Sequence, residues 1–250
     1  MLIDTNVNLG SWPFNLTPAR TAAQLAKHLA ASGIERALVS HFDTAFQPDP
    51  MPANRTLLAA VKRTPALRPV PVINLRLANW AEQLAECVAA KVSAVKLLPN
   101  FHNYTLRAPA VRLFMDALSA TPLRLILNIR FEDERHRYFA FNVQGVPMAD
   151  VKAFLKKFPQ HHVLLTGIYR PEIKDLAKTR KNFSADLAYC EWRDTVKDLL
   201  TALPASRLML GTCTPMLATR GQVDKLRLAS IPAKSKALIA SGNAVKFFRL

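Results

Sequence analysis

Short apolar runs alternate with stretches of helical period along the whole chain, and this alternation constrains the fold more than any other feature. Runs that read as strands occupy 2–9, 35–41, 69–76, 92–98, 123–130, 161–167, 182–187 and 206–212. Between them apolar residues recur every three to four positions, near 18–31, 54–63, 79–90, 109–119, 148–157, 171–180, 191–202 and 221–229, and a helical tail covers 233–248. A strand reached through a helical crossover lies parallel to the one before it. Eight such units in 250 residues predict an α/β protein, a single (β/α)8 TIM-like barrel domain over 1–250, rather than a doubly wound sheet. No linker or strong internal repeat divides the chain, and the 17 prolines tend to fall between the apolar segments.

Composition removes several classes. A chain that is 50% hydrophobic buries enough surface to offset its entropy, so it is not disordered. No uncharged apolar run approaches the ~18 residues of a membrane span, and Met1-Leu2-Ile3-Asp4 does not open a signal peptide. Three scattered cysteines, Cys87, Cys190 and Cys213, make neither a disulfide framework nor a structural zinc site. A reduced, cytoplasmic protein is expected, with no membrane partner and with a homo-oligomer compatible. Seven glycines form no GxGxxG or P-loop, so no nucleotide cofactor is expected.

The net charge of +16 raises nucleic acid as a partner. The basic residues are mostly dispersed. The tightest runs are Lys178-Thr179-Arg180-Lys181 and Lys156-Lys157, and 201–250 carries eight basic residues against one acid, Asp224. No nucleic-acid-binding signature is present. A solvated basic surface is the expected reading. The alternative is a non-catalytic protein that docks on nucleic acid or an acidic partner.

In a barrel of this type the C-terminal strand ends face the active site. Asn6 and Asn8 share one face of the first strand by period-2 alternation. His41 ends the second strand, Asn74 and Arg76 the third, and Lys96 lies on the fourth. Asn128 and Arg130 end the fifth, Thr166 the sixth, and Asp186 the seventh, while Cys213 follows the eighth.

These residues carry a resemblance. Ile3-Asp4-Thr5-Asn6-Val7-Asn8-Leu9-Gly10 resembles the "IDxHxHxG" opening of the amidohydrolase superfamily, with Asn at both His positions. The segment Arg207 to Pro215 resembles its "RLxxGSDxP", with Cys213 in place of Asp, and 241–248 resembles its "xGNAxRLF" helix. Ala94-Val95-Lys96-Leu97 and Asn182 to Asp186 fit its "GxKL" and "NxxxDxS" strands. The match runs through the chain in order, and is most similar to the branch containing aminocarboxymuconate semialdehyde decarboxylase. The resemblance implies a barrel hydrolase or decarboxylase. Its metal-ligand positions correspond here to Asn6, Asn8, Asn128, Thr166 and Cys213. Neutral amides are weak donors to zinc, so no metal or other cofactor is expected, and the chain reads as a degenerate or metal-independent relative.

The cations His41, Arg76, Lys96 and Arg130 instead suit a small anion, a carboxylate or a phosphate, with Asn6, Asn8, Asn74, Asn128 and Thr166 supplying neutral hydrogen bonds. The opposing reading is that the asparagines satisfy one another and the basic residues pair with Glu132, Asp133 and Glu134. Cys213 is a candidate nucleophile, with His41 or His136 as base, or a buried small hydrophobe. Glu132 and Asp133, in the charged segment 130–137, are candidate general acids or bases, or members of local ion pairs.

Overall fold

The computed structural model describes residues 1–14, 17–135 and 142–250. The elements follow the predicted order: β1 (Ile3–Leu9), α1 (Ala22–Ala31), β2 (Arg36–His41), α2 (Met51–Val61), β3 (Leu67–Pro69), β4 (Val72–Ile73), α3 (Trp80–Ala89), β5 (Ala94–Leu97) and α4 (Pro109–Ser119). Then come β6 (Arg124–Asn128), α5 (Met148–Lys157), β7 (Val163–Thr166), α6 (Arg170–Ala177), β8 (Phe183–Asp186), α7 (Thr195–Leu199), β9 (Leu208–Met209) and α8 (Thr219–Arg227). The tail forms α9 (Ala233–Ala237), a wide turn over Leu238–Gly242, and α10 (Asn243–Phe248). Among the described residues, no helix is long and apolar enough to cross a membrane.

All strand pairs are parallel, in the orders β1-β2-β3 and β4-β5-β6-β7-β8-β9. The predicted strand 69–76 is two short pieces, because Pro71 has no N–H to continue the ladder. Val70 N–H donates to Val39 O and Lys96 N–H to Pro71 O, so this one course of chain joins both sheets. At the other seam Thr5 N–H donates to Leu210 O and Asn8 N–H to Thr214 O. The first strand thus lies beside the last, and the architecture is the predicted (β/α)8 type. The helix predicted over 191–202 shrinks to α7, whose N-cap Asp194 sits in the left-handed region at φ 43°.

Side chains alternate between the helix-facing exterior and the barrel interior. The lowest interior layer is apolar: Ile3, Leu38, Val70, Ala94, Ile126, Leu164 and Met209, sealed by Phe247 and Phe248 of α10. Two residues further along their strands stand Lys96, Asn128 and Thr166, all buried. Above this polar layer Trp12, Phe42 and Phe131 form an aromatic cap packed on Val72 and Leu98, with Trp12 stacked on Phe131 at 5.5 Å. The interior is therefore floor, polar layer and cap.

Candidate functional site

The polar layer is built where β1, β5, β6, β7 and β8 reach the same height. Lys96 sits on the interior face of β5 and is 1% exposed. Among the described residues its Nζ has neither a hydrogen bond nor an ion pair. Burial lowers its pKa to about 8, against the opposing influence of Cys213, Asp186 and Asp4 nearby.

Those two carboxyls are committed to neutral donors. Asp4 Oδ1 accepts from the N–H groups of Asn6 and Thr212, and its Oδ2 from Thr212 Oγ1 at 2.5 Å. Asp186 accepts from Asn6 Nδ2 at 2.8 Å and from Gly167 N–H at 3.2 Å. Burial pushes Asp4 up to about 7 and Asp186 up to about 6, beyond what these hydrogen bonds recover. Three groups thus change charge near neutrality within one enclosed layer, a pattern that marks functional sites.

A chain of hydroxyls leaves this layer sideways. Thr212 Oγ1 meets Thr214 Oγ1 at 2.5 Å, Thr214 meets Thr219 Oγ1 at 2.8 Å, and Thr219 meets His28 Nε2 at 2.8 Å. Each hydroxyl can donate to one neighbour and accept from the other, so the chain links Asp4 to the half-buried His28 of α1.

The predicted site residues divide. Asn6, Asn8, Lys96, Asn128 and Thr166 share the layer. Asn128 Nδ2 donates to Thr166 Oγ1 at 3.1 Å, and the buried Oδ1 atoms of Asn8 and Asn128 have no hydrogen-bond partner among the described residues. Arg130 does not point into it. Its guanidinium forms a bidentate pair with Glu172, at 2.7 and 2.8 Å, and stacks on Tyr169 at 3.9 Å. Of the acids in its own segment, Glu134 approaches it at 3.6 Å, while Asp133 turns to Arg135.

Asn74 and Arg76 turn outward for a local reason. Asn74 Oδ1 accepts from Arg76 N–H and its Nδ2 donates to Pro48 O, which bends the chain onto the rim. There the exposed Arg76 lines a groove of ≈ 370 Å³ with Phe46, Phe101 and His102. His41 is held locally as well: its Nδ1 accepts from Asp43 N–H at 3.2 Å, and burial lowers its pKa.

Cys213 lies in the layer but is not poised as a nucleophile. Its Sγ meets Tyr189 Oη at 3.2 Å, and burial raises the thiol to about 12, so the cations expected to ionise it do not prevail. His41 is not among its hydrogen-bond partners, and His136 lies outside the described residues. Cys87 and Cys190 are also buried and raised. All three thiols should resist iodoacetamide in the native protein at pH 8 and react only on unfolding. Mass spectrometry of native and denatured samples checks this. Rapid native labelling of Cys213 would restore the nucleophile reading.

Asp133 is an ion-pair member. Burial opposes its ionisation, but Arg135 at 2.6 Å and the Tyr169 hydroxyl at 2.8 Å outweigh it and hold the carboxyl below its ordinary value. Glu132 is half-buried beside it, in the same rim segment.

Sequence reasoning missed Asp4, Tyr189, Glu172 and the threonine chain. One signal was available for Asp4, the one acid of the first strand, two residues before Asn6.

No family model and no curated protein match this sequence. Solved structures do. The chain superimposes on the 2,6-dihydroxybenzoate decarboxylase from Rhizobium with a TM-score of 0.77 at 14% identity, covering 100% of this chain and 99% of that one. Against 5-carboxyvanillate decarboxylase from Novosphingobium aromaticivorans, complexed with manganese and 4-hydroxy-3-methoxy-5-nitrobenzoic acid, the TM-score is 0.79 at 13% identity, covering 100% and 96%. A probable 2-pyrone-4,6-dicarboxylic acid hydrolase from Acinetobacter baumannii, with citric acid bound, gives 0.70 at 12%, covering 100% and 99%. The fold is shared with these structures over the whole chain, as the sequence resemblance implied.

Proposed function

We propose that this chain is a lyase- or hydrolase-type barrel that works without a divalent metal and holds a small carboxylate compound against Lys96. One observation carries the reading: a buried ammonium with no hydrogen-bond acceptor among the described residues, while the two carboxyls whose charges reach it are already engaged elsewhere. An unpaired buried charge is costly. A carboxylate ligand supplies the missing counter-charge through charge-assisted hydrogen bonds. Asn8 and Asn128 stand in the same layer with hydrogen-bonding capacity to spare. The structural neighbours include decarboxylases and a probable hydrolase, two of them with carboxylic acids bound.

The residues do not suit the metal that the resemblance implies. Among the described residues no three His, Cys, Asp or Glu groups converge. The positions in question offer amides, a hydroxyl and a thiol raised to about 12. The Lys96 side chain brings its own positive charge to that layer, and a second cation there would be repelled.

Small carboxylates such as succinate and benzoate should raise the melting temperature and bind calorimetrically. A concentration of 100 Kd contributes about 2.7 kcal/mol. Lys96→Met should abolish the shift, whereas Arg130→Met should not remove it selectively. Protein exposed to manganese and zinc and then desalted should hold neither stoichiometrically. Tight stoichiometric metal, or carboxylate binding indifferent to Lys96, would overturn the reading.

A further inference from the structure

We propose that Lys96 is an imine-forming amine and that its substrate is a small 3-oxo carboxylic acid. This rests on the reading that a carboxylate reaches Lys96, and it assigns the fate of the carbonyl beside that carboxylate. A lysine kept for structural charge is held by its acids. Here Asp4 and Asp186 act on Lys96 only through space, while their oxygens take hydrogen bonds from Thr212, Asn6 and Gly167. The Nζ lone pair is therefore uncommitted. The lowering of its pKa to about 8 by burial also leaves far more neutral amine at pH 7.5 than on an exposed lysine, roughly two hundredfold. The orphaned acceptors Asn8 Oδ1 and Asn128 Oδ1 are suited to the N–H and O–H groups of a tetrahedral adduct.

The chemistry closes without an external oxidant or metal. The Nζ lone pair attacks the ketone carbon, and the carbonyl π pair moves to oxygen, which is protonated. Nζ loses a proton and the hydroxyl leaves as water, giving an iminium. The iminium draws in the electron pair of the C–C bond to the carboxylate, so carbon dioxide departs and an enamine remains. Protonation at carbon restores the iminium, and water hydrolyses it to the ketone and free Lys96. One water is lost and one consumed, and one proton is taken up in each turnover. Asp186 and Asp4 hold the protons, and the Thr212-Thr214-Thr219-His28 chain connects Asp4 to the side of the barrel.

The test is reductive trapping on the full chain. Protein is incubated with acetoacetate and sodium cyanoborohydride at pH 7.5, and its peptides are mapped by mass spectrometry. The expected result is an isopropyl adduct on Lys96, formed at least about tenfold ahead of the exposed Lys156 and Lys181 and suppressed by succinate. Mapping the unaltered protein locates the adduct without any variant. Lys96→Met should lose that adduct and keep the surface ones. Labelling confined to surface lysines, or an unreduced Lys96 peptide throughout, overturns the proposal. If succinate still gives a Lys96-dependent melting shift in that case, the carboxylate reading stands and only the imine falls. If the shift is absent too, both fall.

Discussion

Lys96→Met is expected to yield a protein that is more stable and no longer binds carboxylates. The fall of the Lys96 pKa from 10.5 to about 8 corresponds to a penalty of roughly 3 kcal/mol for the buried ammonium, which an apolar side chain of similar length removes. Asp186 loses a favourable positive neighbour in the exchange. That loss is limited, because Asn6 and Gly167 hold its oxygens and protonation offers it a neutral form. A net gain of about 1–3 kcal/mol is expected at pH 6–7, several degrees in melting temperature for a chain of this size.

The pH dependence separates this from a generic packing effect. The folded-state pKa of Lys96 lies near 8, below the ordinary 10.5. Its penalty is therefore full below pH 8 and fades as pH rises from 8 towards 10.5, where the unfolded chain binds the extra proton. Wild-type stability should gain on that interval, and Lys96→Met should lack the gain. Asp4 and Asp186 act on the acid side. Their raised pKa values give stability that is complete below about pH 4 and lost as pH rises through 6 and 7. Chemical denaturation of both proteins from pH 5 to 10 checks the pattern. A variant less stable than wild type at pH 7 would show that Lys96 is held by contacts rather than exposed to a ligand.

Gly167→Ala is expected to be among the most damaging single changes in the chain. Gly167 follows β7 at φ +68°, and an added Cβ would lie 2.0 Å from Arg130 O and 3.0 Å from Arg130 C. The obstacle is backbone, so no side-chain rotation relieves it. The left-handed conformation alone costs about 1–2 kcal/mol in a residue with a Cβ. Displacing the chain at Arg130 would also disturb Gly167 N–H to Asp186, Arg130 to Gly167 O and the Glu172 pair. A loss above about 4 kcal/mol is expected, a large share of the 5–15 kcal/mol typical of a domain. Gly221→Ala is the control. It lies in α8 with nothing within 4 Å of where a Cβ would stand, and should gain up to about 1 kcal/mol. Denaturant melts of both variants decide it, and a near-neutral Gly167→Ala would contradict the tight approach of β7 to Arg130.

Fold and site were legible to different degrees. Periodicity located the strands and helices, since burial alternates at period 2 in strands and near 3.6 in helices whatever the side chains do chemically. It failed locally where one residue overrides the pattern, at Pro71 and at Asp194. Period 2 also put Asn6 with Asn8, and Lys96, Asn128 and Thr166, on the interior faces of their strands, although the β1 register shifts between Asp4 and Val7. Arg76 and Arg130 lie beyond the ends of their strands, where alternation no longer governs. Asn74 turns one outward and Glu172, 42 residues downstream of Arg130, captures the other. Cys213 was read for its reactivity, but that depends on burial and on Tyr189, which no spacing in the sequence reveals.

The seam between the first strand and the last has a consequence for how the molecule comes into being. Thr5 meets Leu210 across 205 positions, and Asp4 meets Thr212 across 208. Contacts of such separation carry a large loop-closure entropy and slow folding. In the unfolded chain Asp4 is an ordinary ionised carboxylate in water. Closing the ring draws it into an enclosure where it favours a proton near neutral pH, so completion of the barrel and proton uptake are one event. The rate of that last step should carry the solution's acidity in it.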